Sequence, residues 1–254
     1  MRYTPPPHTQ FFGQHIIYEV TCASTNTLAA QYVQKEALPA GTVVITDHQY
    51  QGRGQRGNVW YSEPHKNLTF SVVLYPAFLA VPQSFSLNII TALALHQVLA
   101  AFVPNDLTAK WPNDIYYQDQ KLSGVLIENV VEKQQLKIAV IGIGLNVNQE
   151  HFNEQGATSL ARICGRTFDL QQLLVRLLAA LEHSYLQLQT QDVAPLRAAY
   201  LKNMYWIHEA HTFQDATHQF LGTIRGIDAV GRLVIEHTDS TLKCYDFQEV
   251  TFVA

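Results

Sequence analysis

Cysteine is scarce in this chain: Cys22, Cys164 and Cys244 are far apart and odd in number, which argues against a disulfide framework and against a CxxC metal site. An excess of positive charge is missing too. The 17 basic and 21 acidic residues give a formal net charge of -4, so no field draws nucleic acid to the whole surface and any basic site must be local. No apolar run approaches the roughly 18 residues that span a bilayer, and the opening MRYTPPPHTQFFG lacks the basic-then-apolar order of a signal peptide. The expected location is therefore the cytoplasm, without a membrane partner. No stretch reads GxSxG, and His208-Glu209-Ala210-His211 is one residue short of the HExxH zinc pattern. Internal repeats are absent as well.

What is there divides into three parts. Residues 1 to 14, with three consecutive prolines, are expected to form a flexible lead-in. Residues 15 to 203 read as the large domain: HIIYEV as a strand, then a helix capped by a side-chain oxygen of Ser24 or Asn26, then TVVIT and NLTFSVVLY as buried strands. A helix apolar round most of its circumference follows over 84–102. Next come four strand-like pieces, LTAKW, IYYQ, KLSGVLIENV and LKIAVIGIGLNV, and two further helices over 169–189 and 194–203. Residues 204 to 254 alternate in short pieces with turn signals, the pattern of a small β-barrel.

Four stretches combine glycine, asparagine or lysine in ways that packing does not require. Gly52-Arg53-Gly54-Gln55-Arg56-Gly57 has the G-x-G-x-x-G spacing of a dinucleotide turn, but a strand follows it where that turn needs a helix to meet the pyrophosphate. Its glycines can instead turn several N–H groups into one concavity beside two guanidinium forks suited to phosphate or carboxylate, with Trp60 as a wall. Lys110-Trp111-Pro112-Asn113-Asp114 ends a strand and turns a cation, an amide and a carboxylate outward. Lys121-Leu122-Ser123-Gly124 opens a strand on which alternation puts Lys121 and Ser123 on one face. In GIGLNVN, Gly142 and Gly144 mark a bulge or a ligand passing close to the backbone, ahead of Asn146 and Asn148.

In this order, and with Ser24-Thr25-Asn26 at the first helix, these stretches resemble the catalytic core of biotin protein ligases over roughly residues 15 to 254. The resemblance implies an α+β fold: a mixed central sheet with helices on one side, similar to class II synthetases and biotin/lipoate ligases, followed by an SH3-like barrel. It also implies ATP-dependent biotinylation of a lysine on the biotin carboxyl carrier protein or domain of acetyl-CoA carboxylase, through biotinyl-5′-AMP, with Mg²⁺ carried on the triphosphate. By resemblance the biotin end is Ser24, Thr25, Asn26 and Gln49, with Arg53, Gly54, Gln55, Lys121 and Gly124 beside the carboxylate. The nucleotide end is Gly52, Arg53, Gly54, Arg56, Trp60, Lys110, Asn113 and Asn146, with Lys121 and Arg53 as the catalytic cations and no metal-ligating side chain. Asp114 is the candidate for taking the acceptor's proton. A carboxylate is already a nucleophile at neutral pH, so such a site needs positioning and charge neutralisation more than a base in its first step.

Two departures bear on expectation. Many relatives carry arginine at the positions of Gln55 and Asn58, so this loop has fewer charges with which to retain an adenylate. About 15 residues precede the core, too few for the helix-turn-helix of some relatives, so no nucleic-acid partner is expected of a monomer or homodimer. The nearest rivals are lipoate or octanoate ligases and transferases, similar in fold and also equipped with a conspicuous lysine; KWPND with GRGxxG favours biotin. A module that binds nucleotide or biotin without turnover is the other reading, disfavoured by Lys121 and Arg53 together.

Overall fold

The computed structural model describes residues 3–152, 156–190 and 193–253. In chain order the first part comprises β1 (Ile16–Cys22), α1 (Thr25–Lys35), β2 (Thr42–Gln49), β3 (Leu68–Leu74), α2 (Phe85–Ala100), β4 (Leu107–Lys110), β5 (Asp114–Tyr117), β6 (Gln120–Glu132) and β7 (Gln135–Leu145). Its seven strands lie in the order β1-β2-β3-β7-β6-β5-β4. The β1–β2 pair is parallel because α1 carries the chain back across the sheet between them, and the other pairs are antiparallel.

Alternation along these strands sorts the residues into two layers. Leu68, Phe70, Val72 and Leu74 of β3 turn to the main core, which is closed by α2 and by α4 (Leu170–Gln189), while Val73 turns to the opposite face under α1. The main helical layer thus lies on one side, as expected, and α1 covers part of the other. Leu173, Leu174, Leu177, Leu178, Leu181 and Tyr185 form the buried stripe of α4, whose Asp169 cap accepts from the Gln172 N–H at 3.0 Å. The short helix α3 (Leu160–Cys164), stopped by Gly165 at φ 66°, is absent from the sequence reading because five residues carry no periodicity. Helix α5 (Val193–Lys202) ends this part.

The lead-in is a correction. Tyr3 and Phe12 are buried, Phe11 and Phe12 pack edge-on or tilted against Tyr185, and the N–H groups of Gln10 and Phe11 donate to the buried Glu182 carboxylate. The prolines suggested a loose segment, but aromatic burial against α4 outweighs their effect.

The last five strands, β8 (Ala210–Gln214), β9 (Gln219–Ile227), β10 (Leu233–His237), β11 (Leu242–Tyr245) and β12 (Thr251–Val253), form an antiparallel sheet in the order β11-β10-β9-β8-β12. The C-terminal part is tied to β4 and the KWPND turn: the Trp111 indole N–H donates to the carbonyl of Gly231, between β9 and β10, at 2.8 Å, and the Tyr205 N–H, ahead of β8, to that of Ala109 at 3.0 Å. The second sheet therefore stands over the end of β4.

Candidate active site

A cavity of about 370 Å³ opens on the α1 face of the large sheet. The pairing register explains its floor. Thr69, Gly144 and Gly124 lie abreast on β3, β7 and β6, with Ser71, Gly142 and Leu126 in the next row. Side chains added at the two β7 glycines would collide: a Cβ on Gly144 would sit 2.3 Å from the Trp60 indole, and one on Gly142 2.2 Å from Asn26 Oδ1. The weakened strand read in GIGLNVN is thus a floor cut down to admit Trp60 and Asn26.

At one end the polar groups form a chain. The Gln49 amide oxygen accepts from the Thr25 N–H at 2.7 Å and from its hydroxyl at 3.1 Å. The Ser71 hydroxyl, missed in the sequence because it sits mid-strand among valines, lies 2.7 Å from Thr25 Oγ1 and 2.6 Å from Asn26 Oδ1. Asn26 Nδ2 donates to the Leu126 carbonyl at 3.1 Å and to Glu128 Oε2 at 2.9 Å. Ser24 takes the N-cap position of α1 in extended backbone, but neither its side chain nor that of Asn26 caps the helix. Asn26 lies inside α1 and is claimed by β6, so the expected side-chain cap is not made.

The glycine-arginine stretch joins β2 to β3 as a narrow hairpin. Trp60 N–H bonds to the Gly52 carbonyl at 2.9 Å, Gly54 N–H to Asn58 at 2.7 Å, and the tip Gln55–Gly57 is one 3₁₀ turn with Gly57 at φ 91°. Arg53 and Gly54 line the cavity, while Gly52 is packed beneath Trp60. The Arg53 guanidinium reaches Glu128 Oε1 at 2.6 Å and Thr27 Oγ1 at 3.1 Å. With side chains 49% and 39% exposed, the Arg53–Glu128 pair contributes at most about 1 kcal/mol. The Arg56 side chain lies outside the described residues.

At the far end Lys121 pairs with Asp114 at 2.7 Å and stands 5.7 Å from the Trp60 ring. Its facing differs from simple alternation. Pairing jumps from Ile115–Ser123 to Tyr116–Lys121, and this irregularity in β6 turns Lys121 to the cavity beside Gly124 while Ser123 stays buried. The Lys110 ammonium lies over Tyr116 at 4.4 Å, Phe252 at 4.9 Å and Tyr205 at 5.2 Å. Burial lowers its pKa, and nearby Lys121 adds to that while Asp114 opposes it. Asn113 lines the cavity with its amide bonded to the Val125 carbonyl.

Most of the expected residues therefore converge, and Asn146 differs. It is buried next to β6, bonded through its backbone to Leu122, and does not line the cavity. Among the described residues, its Oδ1, Trp60 Nε1 and Gln55 Oε1 are buried without a hydrogen-bond partner. Each such atom costs about 1–3 kcal/mol, and the two on residues that line the cavity, Trp60 Nε1 and Gln55 Oε1, are groups that a polar ligand would satisfy. Sequence reasoning missed the roof: Phe247, Gln248 and Val250 of the β11–β12 connection, with Thr251 and Phe252 of β12, close the cavity, a juxtaposition with no local signal.

A glycine-floored cavity with a polar chain at one end and two cations at the other, under a second small sheet, suits an anionic ligand with a neutral polar portion. The chain belongs to the biotin/lipoate A/B protein ligase family, whose model matches residues 18–146. It is 30% identical to the bifunctional ligase/repressor BirA of Bacillus subtilis, over 93% of this chain and 74% of that protein. It is likewise 30% identical to the biotin–[acetyl-CoA-carboxylase] ligase of Paracoccus denitrificans, over 84% of this chain and 90% of that one. Among solved structures, the biotin protein ligase of Aquifex aeolicus in complex with biotin and ATP superposes with a TM-score of 0.78 at 25% identity, covering 94% of this chain and 98% of that one.

Proposed function

We infer that this chain is a biotin–[acetyl-CoA-carboxylase] ligase. The biotin carboxylate attacks the α-phosphorus of ATP, forming biotinyl-5′-AMP as pyrophosphate leaves. A lysine amine of a carboxyl carrier protein then attacks the acyl carbon, AMP departs, and the amine gives up a proton. The observation that carries this reading is the convergence of Thr25, Asn26 and Gln49 with Arg53 and Lys121 in one cavity of a chain from this family.

The hydroxyl and amide groups at the first end suit a neutral ring with donors and acceptors of its own, and the Trp60 face suits its apolar side. In this reading Ser24, Thr25, Asn26 and Gln49 hold that ring, and Lys121 lies between the carboxylate and the α-phosphate, neutralising the charge that builds there. Arg53 and the adjacent backbone N–H groups grip the phosphate. Lys110 and Asn113, which line the cavity together with Phe252 and Thr251, would face the nucleotide. Mg²⁺ would neutralise triphosphate charge. Mg²⁺ commonly keeps several waters and is held on phosphate oxygens with few protein ligands. Lysine, with a reference pKa near 10.4, reaches the site protonated, and Asp114 is the group we assign to accept that proton.

Exchange of labelled pyrophosphate into ATP tests the assignment. It should require biotin and not lipoate, and Lys121→Ala should lower it about 100-fold or more, the scale of losing one preorganised charge. Exchange that depends on lipoate, or on neither acid, would overturn the reading.

A further inference from the structure

A second cavity, of about 350 Å³, adjoins the first. Its origin lies in the unequal lengths of neighbouring strands. β6 runs for 13 residues, but β5 pairs with it only as far as Ser123, and where β5 begins at Asp114 the chain comes in through the turn 111–113 from β4. The gap left beside Leu126 and Ile127 is walled instead by Phe85 and Asn88 of α2 and by Val230 and Phe247 of the C-terminal part. Gln55, Trp111, Pro112, Leu126 and Phe247 line both cavities, so the two share a wall beside the KWPND turn.

The second cavity differs from the first in chemistry. Phe85, Ile127, Val230 and Phe247 make its sides apolar, and its described charged residues are Arg232 and Asp246. Arg232 is held by Asp228 at 2.6 Å, whereas among the described residues Asp246 has no cationic side chain within ion-pair distance. Asp246 is exposed and lines this cavity alone, so it stands at the mouth and leaves it negative. At the shared wall Gln55 Oε1 is buried without a hydrogen-bond partner. An apolar passage with a carboxylate at its mouth and an unused acceptor at its inner end fits a methylene stem that carries an ammonium group.

The second step of the reaction needs such a passage. With an acyl adenylate filling the first cavity, the amine of a protein must still reach the acyl carbon from another side. We propose that the second cavity is the binding site for the acceptor lysine side chain of the carrier protein, with Asp246 drawing in the ammonium and Gln55 Oε1 receiving it at the shared wall. The proposal rests on the ligase reading given above. One proton passes to Asp114, the C–N bond forms as the C–O bond to AMP breaks, and the second proton leaves with the departing phosphate.

Two variants at exposed positions outside the first cavity test this: Val230→Trp, which fills the passage, and Asp246→Lys, which reverses the charge at its mouth. Each is read in two assays, biotin-dependent pyrophosphate exchange for the first step and biotin transfer to the carrier domain of acetyl-CoA carboxylase for the second. Exchange should stay within about twofold of the wild type, while kcat/KM for transfer should fall about tenfold or more in Val230→Trp, because a misplaced amine does not reach the acyl carbon. In Asp246→Lys transfer should fall about fivefold at low salt, the loss shrinking as salt is added, and Asp246→Glu should transfer normally. Transfer unchanged in Val230→Trp overturns the proposal, as does unchanged transfer in Asp246→Lys if the tryptophan variant fails to fold. Slowed exchange in Val230→Trp with transfer no more affected also overturns it, giving the passage to the leaving pyrophosphate. Absence of biotin-dependent exchange in the wild type would instead defeat the functional assignment itself.

Discussion

Gly142 and Gly144 stand on the strand face where Val140 carries a side chain, and the two missing side chains are the reason the cavity has depth. In Gly144→Ala the new methyl would meet the rigid indole of Trp60 at 2.3 Å, so the ring must move rather than bend aside. Overpacking of this kind costs about 1–3 kcal/mol. The expected result is a melting temperature lowered by a few degrees and biotin binding weakened about tenfold, read by thermal melts and titration calorimetry; unchanged biotin affinity would separate Trp60 from the ligand. Lys110 supplies a prediction of a different kind. Burial holds its pKa below the ordinary 10.5, so between the lowered value and 10.5 the unfolded chain binds a proton that the folded chain does not. Stability from this group therefore rises with pH through that window and levels off above it. Lys110→Met should remove that rise, seen as a flatter urea-unfolding free energy in steps towards pH 10.5.

Helix α1 shows how an element can serve a site at the expense of its own terminus. Ser24 has the residue type and the extended backbone of an N-cap, yet its hydroxyl makes no bond to the helix. A working cap lost to alanine costs about 1 kcal/mol; Ser24→Ala should cost less than about 0.5 kcal/mol of stability. If the hydroxyl instead meets biotin, the same substitution should weaken biotin binding about tenfold, the worth of one hydrogen bond. A large stability loss with intact binding would return the residue to an ordinary cap. Strand β6 is the second instructive element. Strict alternation from its sequence puts Lys121 with Ser123; one irregularity against β5 reverses that and turns the lysine to the cavity. The hairpin from Gly52 to Trp60 was legible as a strand-to-strand connection, because β-branched runs flank it on both sides. Which group its arginine touches was not, since Glu128 lies 75 residues away.

At the scale of the whole molecule, the second sheet is part of the site rather than an appendage. Phe252, on the three-residue strand β12, lies 4.9 Å from the Lys110 ammonium and packs with Trp206 and Phe213. Phe252→Ala should raise the KM for ATP several-fold while biotin affinity stays within about twofold, because the end we propose for biotin is built from the large sheet and α1. Equal effects on both ligands would mean that the roof supports the entire cavity. No helix among the described residues is long and apolar enough to cross a membrane.

The sequence by itself determined the strands and long helices, because alternation and helical periodicity are local, and it determined which chemical groups the site would use, because glycine-arginine, KWPND and the lysine-glycine strand carry their chemistry in adjacent residues. Tertiary structure alone decided the rest. Packing of Phe11 and Phe12 against Tyr185 of α4 tied down a proline-rich lead-in, and an irregular pairing of β6 aimed Lys121. Contacts across 75 and 102 residues gave Glu128 both Arg53 and Asn26 as partners. A roof from the last strands closed the cavity. Each of these depends on which surfaces meet once the chain has folded, and no local pattern of residue types encodes that.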